Sequence, residues 1–106
     1  MYSSFDKLQA KQIGKGVTLK AVSGEKMTFT FFHLAEGSAV PEHAHPHEQI
    51  GTVLKGAMEM VIGGEKKIVP AGGLWVIPSN VPHTARCVEG PAEVIEVFSP
   101  IREDFA

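Results

Sequence analysis

Glycine and proline interrupt this chain so often that no long amphipathic helix fits it. No stretch of 11 or more residues keeps apolar side chains at helical spacing without meeting a Gly or a Pro. Between these breaks lie about eight short segments rich in β-branched and aromatic residues, at intervals of roughly ten residues. The pattern predicts an all-β fold of antiparallel strands, arranged as a sandwich or a small barrel.

The breaks also predict where the strands lie. We expect strands at residues 17–22, 27–34, 50–54, 57–62, 65–69, 74–77, 83–88 and 92–98. Three hairpins follow, with turns at 23–26, at Gly63-Gly64 and at 89–91, and the glycine pair permits the positive φ that a tight turn needs. Residues 1–14 are predicted to be an N-terminal arm that packs on the surface or pairs with a second subunit. Residues 15–98 are the predicted barrel, and 99–106 a C-terminal tail.

Composition limits the class of protein and its partners. The 106 residues fit one domain (1–106), and 43% hydrophobic content is typical of a globular protein. A formal charge of −2, with no basic stripe, predicts no nucleic-acid or membrane partner. The N-terminus lacks an apolar signal region, so we expect a cytoplasmic protein. Cys87 is the only cysteine, which excludes an intrachain disulfide and favours a small core residue.

Histidines cluster in one short stretch and predict a metal site. His43 and His45 are two residues apart, and alternate side chains of a strand project from the same face. Imidazole suits Zn, Cu, Fe and Ni, and oxygen ligands widen the choice to Mn. His83 follows an apolar run and a turn, and it is the best remote candidate for a further ligand. His33 ends an apolar strand with no turn beside it and is interpreted as structural.

The last predicted strand carries an acid on each of its faces. Val94, Glu96 and Phe98 share one face, and Glu93 lies on the other. A carboxyl on an apolar face has a raised pKa unless it is paired, which makes it a candidate acid or base. We interpret Glu93 as solvent-exposed and leave Glu96 open between a buried acid and an ordinary surface residue.

Two stretches resemble the paired signatures of the cupin superfamily. The first signature is glycine, five residues, His-x-His, three or four residues, an acid, six residues and glycine; the second runs from a glycine through Pro-x-Gly to histidine and asparagine. The positions in register are Gly37, His43, His45, Gly56, Gly72, Pro78 and His83. Three positions depart, namely Gln49 for the acid, Asn80 for the glycine and Cys87 for the asparagine. The resemblance implies a jelly-roll barrel of about eight antiparallel strands, with a metal in its mouth.

The departure at Gln49 affects the ligand set. A neutral amide in place of a carboxylate leaves a bound divalent ion with its full charge and a stronger attraction for anions. Pro46 interrupts the strand between His45 and Gln49, so alternation does not settle the remaining ligand. We favour Gln49, and Glu48 and His47 remain alternatives.

The C-terminal sequence sharpens the resemblance. Phe98-Ser-Pro-x-Arg-Glu-Asp-Phe105 and Gly63-Gly-Glu-Lys-Lys67 resemble a small single-domain cupin family of pectin and alginate degradation. Members of that family convert 4,5-unsaturated monouronates, the products of polysaccharide lyases, to linear keto sugars. The resemblance implies a homodimer and one divalent transition metal (Ni, Mn, Zn, Fe or Co) held by His43, His45, Gln49 and His83.

The same resemblance assigns roles near the C-terminus. It implies that Glu96 is the catalytic acid or base, where the family usually has the shorter aspartate. Arg102 would bind the carboxylate of a small anionic sugar and Phe98 would lie against its ring. Two other classes of function fit the same barrel, a non-catalytic metal-containing protein that binds a sugar or other small molecule and an iron-dependent dioxygenase.

Overall fold

The chain folds into one eight-stranded antiparallel sheet that turns back on itself in two layers. A computed structural model describes residues 1–105. The strands are β1 Lys11–Gly14, β2 Val17–Ser23, β3 Thr28–Leu34, β4 Ala39–His43, β5 Glu48–Ile62, β6 Glu65–Pro70, β7 Leu74–Ile77 and β8 His83–Ser99. Short 3₁₀ turns lie at Phe5–Lys7 and Glu103–Phe105. The prediction of an all-β, antiparallel barrel is confirmed.

Two long strands join the layers. The sheet order is β1-β2-β3-β8-β5-β6, with β4 paired to β8 and β7 paired to β5. The first half of β5 pairs with β7 and with the second half of β8. The second half of β5 pairs with β6 and with the first half of β8. Both strands therefore run through both layers and carry the residues that face the interior.

Alternation of apolar residues explains which faces form the core. Along β8, Ala92, Val94, Glu96 and Phe98 are buried, and the residues between them are partly exposed. In β2 the buried residues are Val17 and Leu19. Side chains two apart share a face, so each strand contributes one apolar row to the space between the layers.

The predicted hairpin of residues 83–88 and 92–98 is wrong, because these residues form the single strand β8. The chain stays extended through Gly90, where a Cβ atom would lie 2.7 Å from the backbone nitrogen of Glu36. The glycine here permits a close approach of two backbones and does not make a turn. Residues 50–54 and 57–62 likewise join into β5, and at Gly56 the φ of 81° accompanies an irregular register.

The other two predicted hairpins are present, but one strand was missed. β2 pairs with β3 and β5 pairs with β6, across the expected turns. The sheet begins at β1, inside the predicted arm, and β1 pairs with β2 of the same chain. β4 was expected only as the strand that carries His43, without bounds of its own, and it ends at that residue. Within residues 1–105, no helix is long and apolar enough to cross a membrane.

Candidate metal centre

Three histidines from two strand ends and a loop meet at one end of the barrel. One ring nitrogen from each of His43, His45 and His83 lies within 4.8 Å of the others. His43 ends β4 and pairs in register with His83, which begins β8. His45 lies in the loop after β4, so the expectation that alternation within one strand brings the pair together is wrong. The three rings therefore meet because the loop after β4 places His45 beside His43 and His83.

Backbone carbonyls fix the protonation of all three rings. Nδ1 lies 2.8 Å from the Pro41 carbonyl in His43, 3.0 Å from the His47 carbonyl in His45 and 2.8 Å from the Val81 carbonyl in His83. A carbonyl oxygen only accepts, so in the neutral imidazole Nδ1 carries the proton and Nε2 keeps a free lone pair. Burial is the main cause that lowers the pKa of His45 and His83, which favours the neutral form that binds metals.

Gln49, at the start of β5, adds an oxygen atom with no partner. Its side-chain nitrogen donates to Oε2 of Glu96 at 2.6 Å, which leaves the amide oxygen free. That oxygen, His45 Nε2 and His83 Nε2 are buried and have no hydrogen-bond partner within the described chain, and the same holds for Nδ1 of His47, whose ring centre lies 5.4 Å from that of His45. Buried polar atoms are rarely left unpaired, so these four atoms at one end of a barrel fit a cation. Two imidazole nitrogens and a neutral oxygen are donors that suit a divalent transition metal.

Glu96 is a buried acid next to this cluster. It lies on the inner face of β8 and is 8% exposed. Besides the Gln49 amide, the Trp75 indole N–H donates to the same carboxylate oxygen at 2.8 Å. Burial raises the pKa of Glu96 from 4.5 to about 7, against the opposing effects of these two hydrogen bonds and the charge of Arg102. At that pKa a carboxyl can both take up and release a proton near neutral pH.

Arg102, in the C-terminal segment, lies against two aromatic rings that also contact each other. Its guanidinium carbon is 4.9 Å from the centre of the Phe98 ring and 4.1 Å from that of Phe105. Nε and Nη2 donate to the two carboxylate oxygens of Asp104, at 3.0 and 2.8 Å. Stacking and this paired contact hold the guanidinium plane in one orientation. Phe105 and Asp104 were not singled out from the sequence.

A hydrogen bond of the His47 side chain joins the C-terminal segment to the loop that carries His45. Nε2 of His47 lies 3.1 Å from the Ile101 carbonyl, so this nitrogen carries the proton. The backbone carbonyl of His47 also accepts the bond from His45. His47 therefore links Arg102, the next residue after Ile101, to the loop that carries His45.

The structure places the remaining candidates away from the cluster. Glu48 is exposed at the start of β5, and His33 is exposed on β3 opposite the partly exposed Glu93. Cys87 is fully buried in the core.

One cavity brings the candidate residues together. It has a volume of about 80 Å³, which is space for roughly two or three water molecules at about 30 Å³ each. Its lining includes His43, Gln49, His83, Glu96, Phe98 and Arg102. Trp75 lines it as well. The signal that could have identified Trp75 is its indole N–H, which needs an acceptor when the ring is buried.

Comparisons with known proteins agree with this architecture. A family model described as a cupin domain matches residues 30–98. The chain is 31% identical over 102 residues to the pectin degradation protein KdgF of Dickeya dadantii, a match that covers 94% of this chain and 93% of the relative. The structure of KdgF from a Halomonas species superposes with a TM-score of 0.89 at 30% identity, covering 95% of both chains. An RmlC-like cupin from Shewanella frigidimarina superposes with a TM-score of 0.92 at 28% identity, covering 99% of this chain and 95% of the other. The chain therefore belongs to the cupin family.

Proposed function

We propose that this cupin opens the ring of 4,5-unsaturated monouronates and yields linear keto sugars. The observation that carries the proposal is a cluster of three histidines, two of which line one cavity together with a buried acid and an oriented guanidinium. Similarity to a pectin degradation protein over nearly the whole chain supports the substrate class.

A divalent transition metal fits the unpaired atoms of the site. The residues that would hold it are His43, His45, His83 and Gln49, the last through its free amide oxygen. Bound there, the ion would supply Lewis-acid stabilisation of negative charge that develops on a substrate oxygen.

The substrate's own chemistry defines what the side chains must do. Its ring oxygen belongs both to a hemiacetal and to an enol ether. Removal of the proton from the C1 hydroxyl forms the C1 carbonyl, breaks the bond from C1 to the ring oxygen and leaves an enolate. A proton delivered to C4 then gives the ketone, so the reaction neither gains nor loses atoms. One group that accepts a proton and returns it is sufficient.

Glu96 is the residue that we assign to this proton transfer. It lines the cavity, and its raised pKa lets it exchange protons near neutral pH. General acid–base catalysis of this kind typically contributes about 10²–10⁴ in rate.

Arg102 and Phe98 would hold the sugar. Nε and Nη2 of Arg102 contact Asp104, and Nη1 has no hydrogen-bond partner within residues 1–105. Nη1 can therefore donate to the substrate carboxylate while Asp104 keeps the guanidinium in place. The Phe98 ring, which is buried and lines the same cavity, offers an apolar surface to the sugar ring.

The test compares two acids on the same strand. Metal-loaded parent, Glu96→Gln and Glu93→Gln proteins are incubated with unsaturated galacturonate, and the alkene signals are followed by NMR. We expect Glu96→Gln to lose at least about 100-fold in kcat, with its metal content unchanged. Glu93, on the outer face, should tolerate the same change. An equal rate in parent and Glu96→Gln would show that Glu96 does not transfer the proton.

Two other results would replace the proposal. Tight binding of the uronate with no product would favour a non-catalytic sugar-binding cupin. Oxygen consumption during turnover would favour a dioxygenase, because ring opening consumes no oxygen.

The functional unit that we propose is a homodimer formed through an outer apolar face. The face consists of two register rows across β3, β8, β5 and β7, namely Phe29, Val97, Ile50 and Val76, then Phe31, Ile95, Thr52 and Leu74. Leu74 is 69% exposed and Ile50 51%.

A matched pair of isoleucines tests the interface. Ile50 lies on the outer apolar face, and Ile68 on β6 is equally exposed, at 50%. We expect Ile50→Asp to convert the dimer to a monomer in sedimentation analysis, and Ile68→Asp to remain dimeric. A monomeric parent protein would refute the proposed dimer.

A further inference from the structure

Three residues on adjacent strands form a row beneath the cavity. Gly51 on β5 pairs with Trp75 on β7 and with Glu96 on β8. All three are buried, and the two flanking side chains line the cavity. Neighbouring strands are about 4.8 Å apart, so the two outer strands are separated by roughly 9.6 Å. Side chains on those outer strands can meet only if the central residue leaves the space above it empty.

Gly51 leaves that space empty. A Cβ atom at this position would lie 2.6 Å from Nε1 of Trp75 and 2.8 Å from Cγ of Glu96. Real side chains do not approach so closely, so any larger residue must displace the indole, the acid or both. Cγ is the methylene by which glutamate exceeds aspartate, and it occupies the space over the glycine. The contact between Trp75 and Glu96 therefore depends on the missing side chain.

Two donors converge on one oxygen of the acid as a result. The Trp75 indole N–H and the Gln49 side-chain amide both donate to Oε2 of Glu96, at 2.8 and 2.6 Å. Within residues 1–105, no donor contacts the other oxygen, Oε1. Two bonds from different directions fix the carboxylate plane and distinguish its oxygens.

We propose that Gly51 and Trp75 are positioning residues that hold Glu96 with Oε2 bound by protein donors and Oε1 presented to the substrate. This inference rests on the proposed function, because it assigns Oε1 as the atom that exchanges the proton. In this role Trp75 acts through Glu96, and Gly51 acts by permitting both side chains to meet.

The geometry can be tested without activity, because Trp75 is the only tryptophan. Its indole N–H gives a single cross-peak in the ¹H–¹⁵N spectrum of metal-free protein. We expect Glu96→Gln and Gly51→Ala to shift this peak and to speed its exchange with solvent. Gly14→Ala is the matched control, since no atom lies within 4 Å of a Cβ there. An indole peak unchanged in both site variants would overturn the inference.

Kinetics test whether the position matters for turnover. Trp75→Phe keeps an aromatic ring and removes the N–H donor together with the five-membered part of the indole. We expect kcat to fall roughly 10-fold, the effect of one hydrogen bond to a charged acceptor, with KM and metal content within about twofold of the parent. A kcat equal to that of the parent in a metal-loaded, folded variant would refute the positioning role. If the parent itself opens no uronate ring, the proposed function fails, and the indole spectrum still decides whether Gly51 and Trp75 hold the acid.

Discussion

Burial of Glu96 predicts a contribution to the stability of the metal-free protein that is lost as the pH rises toward neutral. The pKa of Glu96 rises from 4.5 to about 7 on folding. The folded state therefore holds its proton more tightly than the unfolded state, and this contribution is fully present below the unfolded pKa. It is lost between about pH 4.5 and pH 7. A shift of about 2.5 units at 1.36 kcal/mol each corresponds to about 3 kcal/mol of unfolding free energy.

Urea unfolding in EDTA measures this loss directly. Parent and Glu96→Gln proteins are compared from about pH 4.5 to about pH 8.5. His45 and His83 have lowered pKa values, so their contributions rise with pH, and both proteins share them. The stability of the parent relative to the variant should therefore fall by about 3 kcal/mol across this range. A difference that stays constant within about 0.5 kcal/mol would refute the reasoning, since ionisation of Glu96 would then cost nothing on folding.

Three further predictions test the backbone, the guanidinium and the metal ligands. A Cβ on Gly56 would overlap the carbonyl of Glu89, whereas Gly64 has a similar positive φ and open space. Gly64→Ala should lower the free energy of unfolding by about 1–2 kcal/mol through backbone strain. Gly56→Ala should lower it by about 1–3 kcal/mol more. Equal losses in the two variants would show that a Cβ on Gly56 does not overlap the Glu89 carbonyl. Arg102→Lys should lower kcat/KM for the uronate roughly 10-fold or more, chiefly through KM, because lysine lacks the planar fork. His83→Ala should reduce bound divalent metal from about one ion per chain to a small fraction, as measured by elemental analysis, and unchanged metal content would exclude His83 as a ligand.

Local patterns in the sequence predicted the strands that depend on neighbours in the chain. Alternation and Gly63-Gly64 identified the hairpin of β5 and β6, and the composition of residues 17–34 identified that of β2 and β3. β8 was divided wrongly, because Gly90 and Pro91 have the composition of a turn. Their actual environment is set by the backbone at Glu36, 54 residues away. No local pattern reveals a contact of that kind.

The same distinction applies to the candidate site. The histidine motif and its resemblance to cupins drew attention to His43, His45 and His83, which the fold brings together. The sequence left the burial of Glu96 open, because each face of its strand carried an acid. The choice depends on which face of β8 points into the space between the two layers, and the structure puts Glu96 inside. The partnership of Trp75 with Glu96 was not predictable, since it requires the register of three strands at once.

The topology of β8 has a consequence for the order of folding. This single strand carries His83, Glu96 and Phe98, and it pairs with β3, β4 and β5. Its partners are distant in sequence, for example Thr28 opposite Phe98, and such non-local pairing is typical of slowly folding β domains. Metal uptake should therefore be a late event in refolding. The rate at which the refolding protein acquires metal would report the docking of its last long strand.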